Sequence, residues 1–201
     1  MRNTFDRFNG RHQDYQAARP SYAQEFLDWL GELYAPPERY TAADIGSGTG
    51  KLSAQLLAAG FRVCGVEPNP DMRGAAEALL GGDPRFSSSN GTDHDTGLPD
   101  RSVDMVAAAQ AFHWFDGPAF ARECRRILRP GGRAVLVWNV RGSAPMNQAL
   151  AQVFREHCPS FHGFTGGMGE DDPRIRDFFG GAYEKRRFPN PLTLDRDRFL
   201  R

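Results

Sequence analysis

Three glycines at alternate positions follow a short apolar run in the sequence AADIGSGTG, which occupies residues 42–50. A helical pattern begins at the next residue and continues to residue 59. This order predicts a strand, a tight turn and the N-terminus of a helix. Glycine has no Cβ to keep a ligand away from the backbone, and the start of a helix offers free N–H groups. The stretch therefore predicts a ligand-binding turn rather than a plain strand-to-helix connection.

Apolar patterns in the rest of the chain alternate between helices and strands. Further helices are predicted near residues 22–34, 71–80, 120–128 and 144–157, and further strands near residues 61–66, 85–89, 103–109 and 134–138. Residues 130–132 are predicted to turn the chain, and residues 182–188 are a weaker sixth strand. This alternation predicts an α/β fold, with a doubly wound, mainly parallel sheet and helices on both of its faces.

The length of the chain fits one domain with one core, so residues 1–201 are predicted to form a single unit. Within it we expect an N-terminal cap at residues 1–40 and a ligand-binding core at residues 41–140. Residues 159–181 are rich in Gly and Phe with little periodicity, which predicts an irregular insertion.

The amino-acid composition argues against polyanions, membranes and metal ions as partners. The formal net charge is zero, which argues against polyanion binding as the main role, because phosphate neutralisation needs clustered cations. The sequence has no run of about 18 apolar residues and no apolar signal region at its start, so we expect a soluble cytoplasmic protein without a membrane partner. The cysteines and histidines show no metal-ligand spacing, so no metal site is predicted.

Three distinctive stretches fall at the carboxyl ends of predicted strands: the glycine turn, Glu67, and the sequence QAFHWFD at residues 110–116. Ligands bind at this edge of parallel sheets, near the point where the strand order reverses. Glu67 lies 21 residues after Gly46. A carboxylate at about this distance can accept hydrogen bonds from both hydroxyls of a ribose. Together they indicate a ligand with a nucleoside part.

The spacing of the glycines distinguishes between the classes of nucleotide-like ligand that such a turn can bind. A dinucleotide fingerprint, G-x-G-x-x-G, counted from Gly46 would need a glycine at Lys51. A P-loop would need a glycine at Ile45 and a hydroxyl residue at Leu52. Both patterns fail, and the remaining pattern suits a nucleoside that carries an amino-acid tail.

The sequence resembles the class I S-adenosylmethionine-dependent methyltransferases in four segments that follow the family's order. They correspond to motif I, the acidic loop after strand two, and the segments before strands four and five, at residues 44–50, 65–69, 97–104 and 126–132. The sequences QAFHWF at residues 110–115 and YQAARPSY at residues 15–22 are similar to the small type 11 methyltransferase-like branch. The resemblance covers roughly residues 5–140. It implies a Rossmann-like fold with S-adenosyl-L-methionine as the cofactor.

The resemblance also implies a role for individual residues. Glu67 would hold the ribose hydroxyls, Pro68 and Met72 would flank the adenine, and Gln110 would close over the methionyl end. Arg19 would pair with the cofactor carboxylate. The implied cofactor-binding residues are Arg19, Asp44, Gly46, Ser47, Gly48, Gly50, Glu67, Pro68, Met72, Thr92, Asp93 and Gln110.

The sequence departs from the family's pattern in two places. The branch has Ala-Glu where this chain has Asp93-His94, next to Thr92 at the expected edge of the adenine. Family members also carry strands six and seven, and no candidate for strand seven precedes Arg201. Either the chain is truncated or the edge of the sheet is completed differently, so the fold is expected to lack its last strand or to replace it.

Methyl transfer from a sulfonium is a direct displacement, in which the enzyme aligns the reactants and excludes water. A general base is needed only for a protonated acceptor, and His113 is the candidate. A structural histidine beside Trp114 is an equal alternative. The sequence thus predicts methyl transfer to a small-molecule acceptor. The alternatives are a non-catalytic cofactor-binding protein of the same fold and a nicotinamide-dependent oxidoreductase.

Overall fold

A computed structural model describes most of the chain, namely residues 20–140, 145–158, 160–161, 168–169 and 171–192. The helices in this part are α1 Gln24–Leu33, α2 Lys51–Ala58, α3 Pro70–Leu80, α4 Gly117–Ile127, α5 Pro145–His157 and α6 Pro173–Phe179. The strands are β1 Thr41–Ile45, β2 Arg62–Val66, β3 Phe86–Ser89, β4 Val103–Ala109 and β5 Leu128–Val137. Short 3₁₀ turns lie before β1 and after β4, at Pro37–Arg39 and Phe112–Trp114.

The five strands form one parallel sheet in the order β3-β2-β1-β4-β5. Ala43 in the central strand β1 pairs with Cys64 in β2 and with Val106 in β4. The chain builds β2 and β3 on one side of β1 and then returns to build β4 and β5 on the other. The strand order therefore reverses between β1 and β4, and the predicted doubly wound, Rossmann-like α/β fold is confirmed.

Helices cover both faces of the sheet because alternate strand residues point to opposite sides. Ala43 and Ile45 pack on the face covered by α4 and α6, whereas Ala42 packs on the face covered by α1 and α2. The Phe120 ring of α4 stacks on the Phe178 ring of α6, with 5.1 Å between their centroids. No helix among the described residues is long and apolar enough to cross a membrane.

Strand β5 differs from the prediction at its start. It begins at Leu128, although the sequence predicted a turn at residues 130–132 and a strand only from residue 134. Leu128 pairs with Val103, and the register then shifts, so that Arg133 pairs with Met105. The predicted turn is thus an irregularity inside the strand. A Cβ on Gly132 would lie 2.9 Å from the Asp104 carbonyl oxygen, which explains the glycine there.

The structure corrects two predictions near the C-terminus. Helix α6 lies inside the segment 159–181 that was predicted to be irregular, and its Ile175 and Phe178 are buried. The strand predicted at residues 182–188 does not form, and residues 182–192 contain no strand. Phe188 instead packs on α1, where its ring lies 5.8 Å from the Phe26 ring.

Candidate functional site

A cleft lies at the carboxyl ends of β1 and β4, at the reversal of strand order. Its empty space measures about 470 Å³, a figure that includes open solvent. Its lining combines the glycine turn, the end of β4, the chain after β5 and the chain before α1, namely Pro20, Tyr22, Asp44, Gly46, Ser47, Gly48, Thr49, Lys51, Leu52, Ala109, Gln110 and Asn139. The first and third predicted stretches therefore meet in one cleft.

The three glycines of the turn have different environments. All three have left-handed backbones, with φ of +69° at Gly46, +57° at Gly48 and +80° at Gly50. A Cβ on Gly46 would lie 2.8 Å from the Ala111 Cβ, and one on Gly50 would lie 2.9 Å from the Leu80 Cδ1. A Cβ on Gly48 would have nothing within 4 Å. The outer glycines thus permit close packing, whereas Gly48 leaves its backbone open to a ligand.

Glu67 joins the glycine turn to the start of α3. Its Oε2 accepts the Gly48 N–H and its Oε1 accepts the Asn69 N–H, each at 2.9 Å. The residue is only 9% exposed, and burial raises the pKa of its carboxyl, against the opposing effects of the two N–H bonds and the Arg73 charge. Arg73 Nη1 also donates to the Glu67 carbonyl oxygen at 2.9 Å. The carboxylate predicted to hold a ribose is therefore fixed beside the turn.

Asp44 is the second buried acid of the site. It is 1% exposed, and its Oδ2 accepts the Ser53 hydroxyl at 2.7 Å. Its Oδ1 is buried without a hydrogen-bond partner among the described residues. Burial raises the pKa of this carboxyl to about 6, despite the bonds from Ser53, and the charge of Glu67 adds to the rise. Asp44 lines the cleft with an acceptor that a cationic ligand would satisfy.

Gln110 directly follows β4 and has a left-handed backbone at φ +55°, which is uncommon outside glycine. Its N–H donates to the Val137 carbonyl oxygen at 2.8 Å, and its side-chain Nε2 donates to the Asn139 carbonyl oxygen at 3.1 Å. These bonds fix the side chain across the end of β5, at the wall of the cleft where the sequence predicted it.

The chain before α1 forms a rim of the cleft, which we define as residues 20–22. Tyr22 donates its N–H to Gln55 Oε1, and Gln55 Nε2 donates to the Tyr22 carbonyl oxygen, each at 2.9 Å. These two bonds tie the rim to α2, and the N-terminal cap at residues 1–40 remains a prediction. Arg19, predicted to pair with the cofactor carboxylate, lies outside the described residues. Sequence reasoning missed Gln55 and Asn139, because a lone amide carries no pattern signal.

The residues predicted to contact the adenine lie outside the cleft lining. Met72 is buried in the first turn of α3 and Pro68 is half-buried just before that helix. Asp93 Oδ2 accepts the Asp116 N–H at 3.0 Å, and the neighbouring Thr92 Oγ1 accepts the Asp95 N–H at 3.1 Å. The adenine roles of Pro68, Met72, Thr92 and Asp93 remain predictions.

A buried acid that sequence reasoning missed holds the loop containing Asp93. Glu123 Oε1 of α4 accepts both the N–H and the hydroxyl of Thr96, at 2.9 and 2.6 Å. Arg126 Nε donates to Glu123 Oε2 at 2.8 Å. Burial acts to raise the pKa of Glu123, but the bonds from Arg126 and Thr96 outweigh it and lower the pKa to about 2.

His113 lies on the 3₁₀ turn after β4 and does not line the cleft. It is half-buried, and its ring centroid lies 4.8 Å from that of Trp114, which is 46% exposed. Phe112 is buried in the core beside Phe120. Asp116 caps α4, where its Oδ1 accepts the Ala119 N–H at 2.9 Å. The role of His113 as a general base therefore remains a prediction.

A parallel sheet with a glycine turn and a buried acid at its reversal point defines a Rossmann-like class of α/β protein. Residues 43–136 match the model of a family described as a methyltransferase domain. A candidate type II methyltransferase from Anaeromyxobacter dehalogenans is 32% identical, with a TM-score of 0.57 over 88% of this chain and 70% of its own. A candidate methyltransferase from an antibiotic biosynthesis pathway of Anabaena variabilis is 25% identical, with a TM-score of 0.62 over 83% and 63%.

An uncharacterized methyltransferase from Mycobacterium tuberculosis is 42% identical over 127 residues, which is 63% of this chain and 49% of the relative. These similarities place the chain in the class I S-adenosylmethionine-dependent methyltransferase family. The chain spans about half the length of the curated relatives it matches.

Proposed function

We propose that this chain binds S-adenosyl-L-methionine in the cleft and transfers its methyl group to a small-molecule acceptor. The observation that carries the proposal is the Asp44 carboxylate, which is buried in the cleft lining with an unsatisfied Oδ1 among the described residues. A buried carboxylate of this kind favours a positively charged ligand, because pairing offsets the free energy of its desolvation.

The chemistry of the residues at the two ends of the cleft supports this cofactor. Its ammonium group would bind Asp44, and its carboxylate would lie near the N-terminus of α2, where Lys51 also lines the cleft. Its ribose would lie against Glu67, whose two oxygens keep acceptor capacity beyond the bonds from Gly48 and Asn69. The Cβ position of Gly48 is open, so the backbone can approach the cofactor there.

Bound S-adenosylmethionine supplies an electrophilic methyl group on a sulfonium. The residues around it align the acceptor and exclude water, and Gln110 and the rim would form this enclosure. His113 would act as a base only for an acceptor that must lose a proton. The zero net charge supports a small-molecule acceptor over a nucleic acid, and the cytoplasm remains the predicted location.

Titration calorimetry with S-adenosylmethionine and S-adenosylhomocysteine tests cofactor binding, and we expect heat with both in the micromolar range. No heat with either ligand, on a folded sample that NAD stabilises against thermal unfolding, would favour the oxidoreductase. A methylation assay over acids, phenols and amines tests the reaction. Cofactor binding without transfer to any of them would favour the non-catalytic alternative.

A further inference from the structure

A hydrogen-bonded junction joins three distant parts of the chain beside the cleft. Asn190 Nδ2 donates to the Ser21 carbonyl oxygen at 2.7 Å and to Asn139 Oδ1 at 2.9 Å. Asn139 Nδ2 donates to the carbonyl oxygens of Pro20 and Ser21, at 3.4 and 3.3 Å. We call Asn139, Asn190 and the backbone of residues 20–21 the amide junction. Its shortest bond comes from Asn190.

The amide junction holds one end of the rim. The other end is held by α2, where Gln55 makes two bonds with the Tyr22 backbone. Pro20 and Tyr22 both line the cleft, so the rim crosses from α2 towards the end of β5 and is tied by amide side chains on both sides. Release of either end would let the rim move away from the cleft.

The amide junction also reaches the wall of the cleft. The Asn139 carbonyl oxygen accepts the side chain of Gln110 at 3.1 Å, and both residues line the cleft. The rim, the end of β5 and Gln110 therefore form one connected hydrogen-bonded unit. Loss of the Asn190 side chain can therefore alter the position of Gln110, because Asn139 is hydrogen-bonded to both residues.

The stretch that carries Asn190 is anchored separately from the amide junction. The Phe188 ring lies 5.9 Å from the Trp29 ring of α1, and the Arg186 guanidinium lies 5.0 Å above the Trp29 ring. Lys185 forms an ion pair with Asp171 at 3.0 Å. Asn190 itself is exposed, so its truncation removes bonds to the rim without opening a cavity in the core.

We propose that Asn190 is a positioning residue that holds the rim closed over the bound cofactor, and that Asn139 transmits this to Gln110. The inference rests on the proposed function. Loss of the Asn190 donor speeds cofactor release, because differences in affinity between variants of one site lie mainly in the dissociation rate. The expected change is roughly threefold to tenfold, the factor that corresponds to the net contribution of one or two hydrogen bonds.

The test compares Asn190→Ala, Asn190→Asp and the control Lys185→Ala. Dissociation of S-adenosylhomocysteine is followed by stopped-flow tryptophan fluorescence, and unfolding temperatures are measured without ligand. We expect faster release from both Asn190 variants at nearly unchanged unfolding temperatures. The effect of Asp is larger, because its carboxylate faces two oxygens, those of Ser21 and Asn139, and cannot donate to them. Lys185→Ala should match the wild type.

A second measurement does not depend on the cofactor. The Tyr22 N–H is protected by Gln55, so hydrogen exchange of a peptide that spans residues 20–22 reports the opening of the rim. This exchange should accelerate in the ligand-free Asn190 variants alone.

Failure of the two ideas can be told apart. If the wild type binds neither ligand, the proposed function is wrong, and the exchange measurement still decides the inference about the rim. If the wild type binds and both Asn190 variants match it in release and in exchange, the inference is overturned. Equal effects of Lys185→Ala and Asn190→Ala would also overturn it, because the whole stretch rather than the Asn190 amide would then hold the rim.

Discussion

At the scale of the residue, two buried carboxylates beside the glycine turn differ in how their oxygens are used. Both oxygens of Glu67 accept backbone N–H groups, so the side chain shapes the turn before any ligand arrives. Asp44 uses one oxygen for Ser53 and leaves the other without a partner in the described part of the chain. The hydrogen bonds of Glu67 are therefore made within the protein, whereas Asp44 has one oxygen that a ligand could bind.

Replacement of Glu67 by Ala should weaken binding of S-adenosylmethionine by about 1.5–3 kcal/mol, the usual effect of losing hydrogen bonds to a charged group. This corresponds to a dissociation constant about 10- to 150-fold higher, measurable by calorimetry. The matched control is Glu77→Ala, which removes an exposed carboxylate 3.7 Å from Arg73 on α3. An unchanged affinity of Glu67→Ala would remove this residue from the site.

Asp44 makes the stability of the ligand-free protein depend on pH. Its pKa is raised from 3.8 to about 6 in the folded state, so folding favours the protonated form. Below about pH 4 the group is protonated in both states, and stability is lost as the pH rises through about 6. The full loss is about 3 kcal/mol above that pH. Asp44→Asn should therefore be more stable than the wild type at pH 7.5, with a difference that fades towards pH 4.

Urea unfolding of both proteins across this pH range measures the difference, and a difference independent of pH would contradict the raised pKa. The same variant should bind S-adenosylmethionine more weakly, because the asparagine has no negative charge for the ammonium group. A gain in stability that accompanies a loss of binding would identify Asp44 as a functional residue.

At the scale of the element, two glycines of the turn between β1 and α2 have different roles: Gly46 allows close packing, and Gly48 leaves space for a ligand. Gly46→Ala adds a Cβ that lies 2.8 Å from Ala111 Cβ, whereas Gly48→Ala adds one with no atom within 4 Å. Both variants also carry the left-handed backbone, which costs about 1–2 kcal/mol outside glycine.

We therefore expect Gly46→Ala to lose more stability, and Gly48→Ala to lose more affinity for the cofactor. Urea unfolding and calorimetry on the two variants measure both quantities. Equal effects of the two substitutions on stability and on affinity would show that the glycines have one common role.

The loop between β3 and β4 depends on the buried acid of α4. Glu123→Gln should destabilise the fold by about 2–4 kcal/mol, because it leaves the Arg126 charge and the Thr96 donors poorly matched. The pKa of Glu123 is lowered to about 2, so this stabilisation is present above pH 4.5 and is lost as the pH falls towards 2. Arg122→Gln, at an exposed position of the same helix, is the control for urea unfolding at pH 7 and pH 3.

The sequence predicted the elements whose patterns are local. The strands β1, β2 and β4 are short apolar runs that end at a glycine turn, an acid and a polar residue, and they form close to where they were expected. Helix α6 was missed because its seven residues carry too little helical periodicity to predict a helix. Phe188 ends the stretch predicted as a weak sixth strand, but its ring packs on Trp29 of α1 rather than on a neighbouring strand.

The site could be predicted only in part, because some of its residues are marked by local patterns and others are not. A parallel sheet brings strand ends together, so the glycine turn and Gln110 could be placed in one cleft from strand order alone. Gln55, Asn139 and Asn190 act through contacts between residues at least 29 positions apart. No local pattern marks such residues, and they become visible only in three dimensions.

At the scale of the whole molecule, helix α5 differs from the other helices because none of its residues is buried. Met146 is 63% exposed, Val153 is 52% exposed and Phe154 is 39% exposed, and the Phe154 ring stacks on the Phe161 ring. We expect the amides of α5 to exchange with solvent well before those of β1 and β4, because little buried surface protects the helix. Hydrogen exchange followed by mass spectrometry measures this order.

A matched pair of substitutions tests the same point. Val153→Ser should leave the unfolding temperature almost unchanged, whereas Val106→Ser in β4 should lower it by several degrees. Equal shifts would mean that α5 contributes to the stability of the core.

The outer edge of β5 has a consequence for behaviour in concentrated solution. No strand among the described residues pairs with that edge, and an unpaired strand edge can pair with another chain. Pro130 cannot donate, and the register shift distorts the strand as far as Arg133, which leaves only the last residues of β5 straight enough to recruit a partner. We therefore expect Pro130, Gly131 and Gly132 to limit edge-to-edge association of the chain at high concentration.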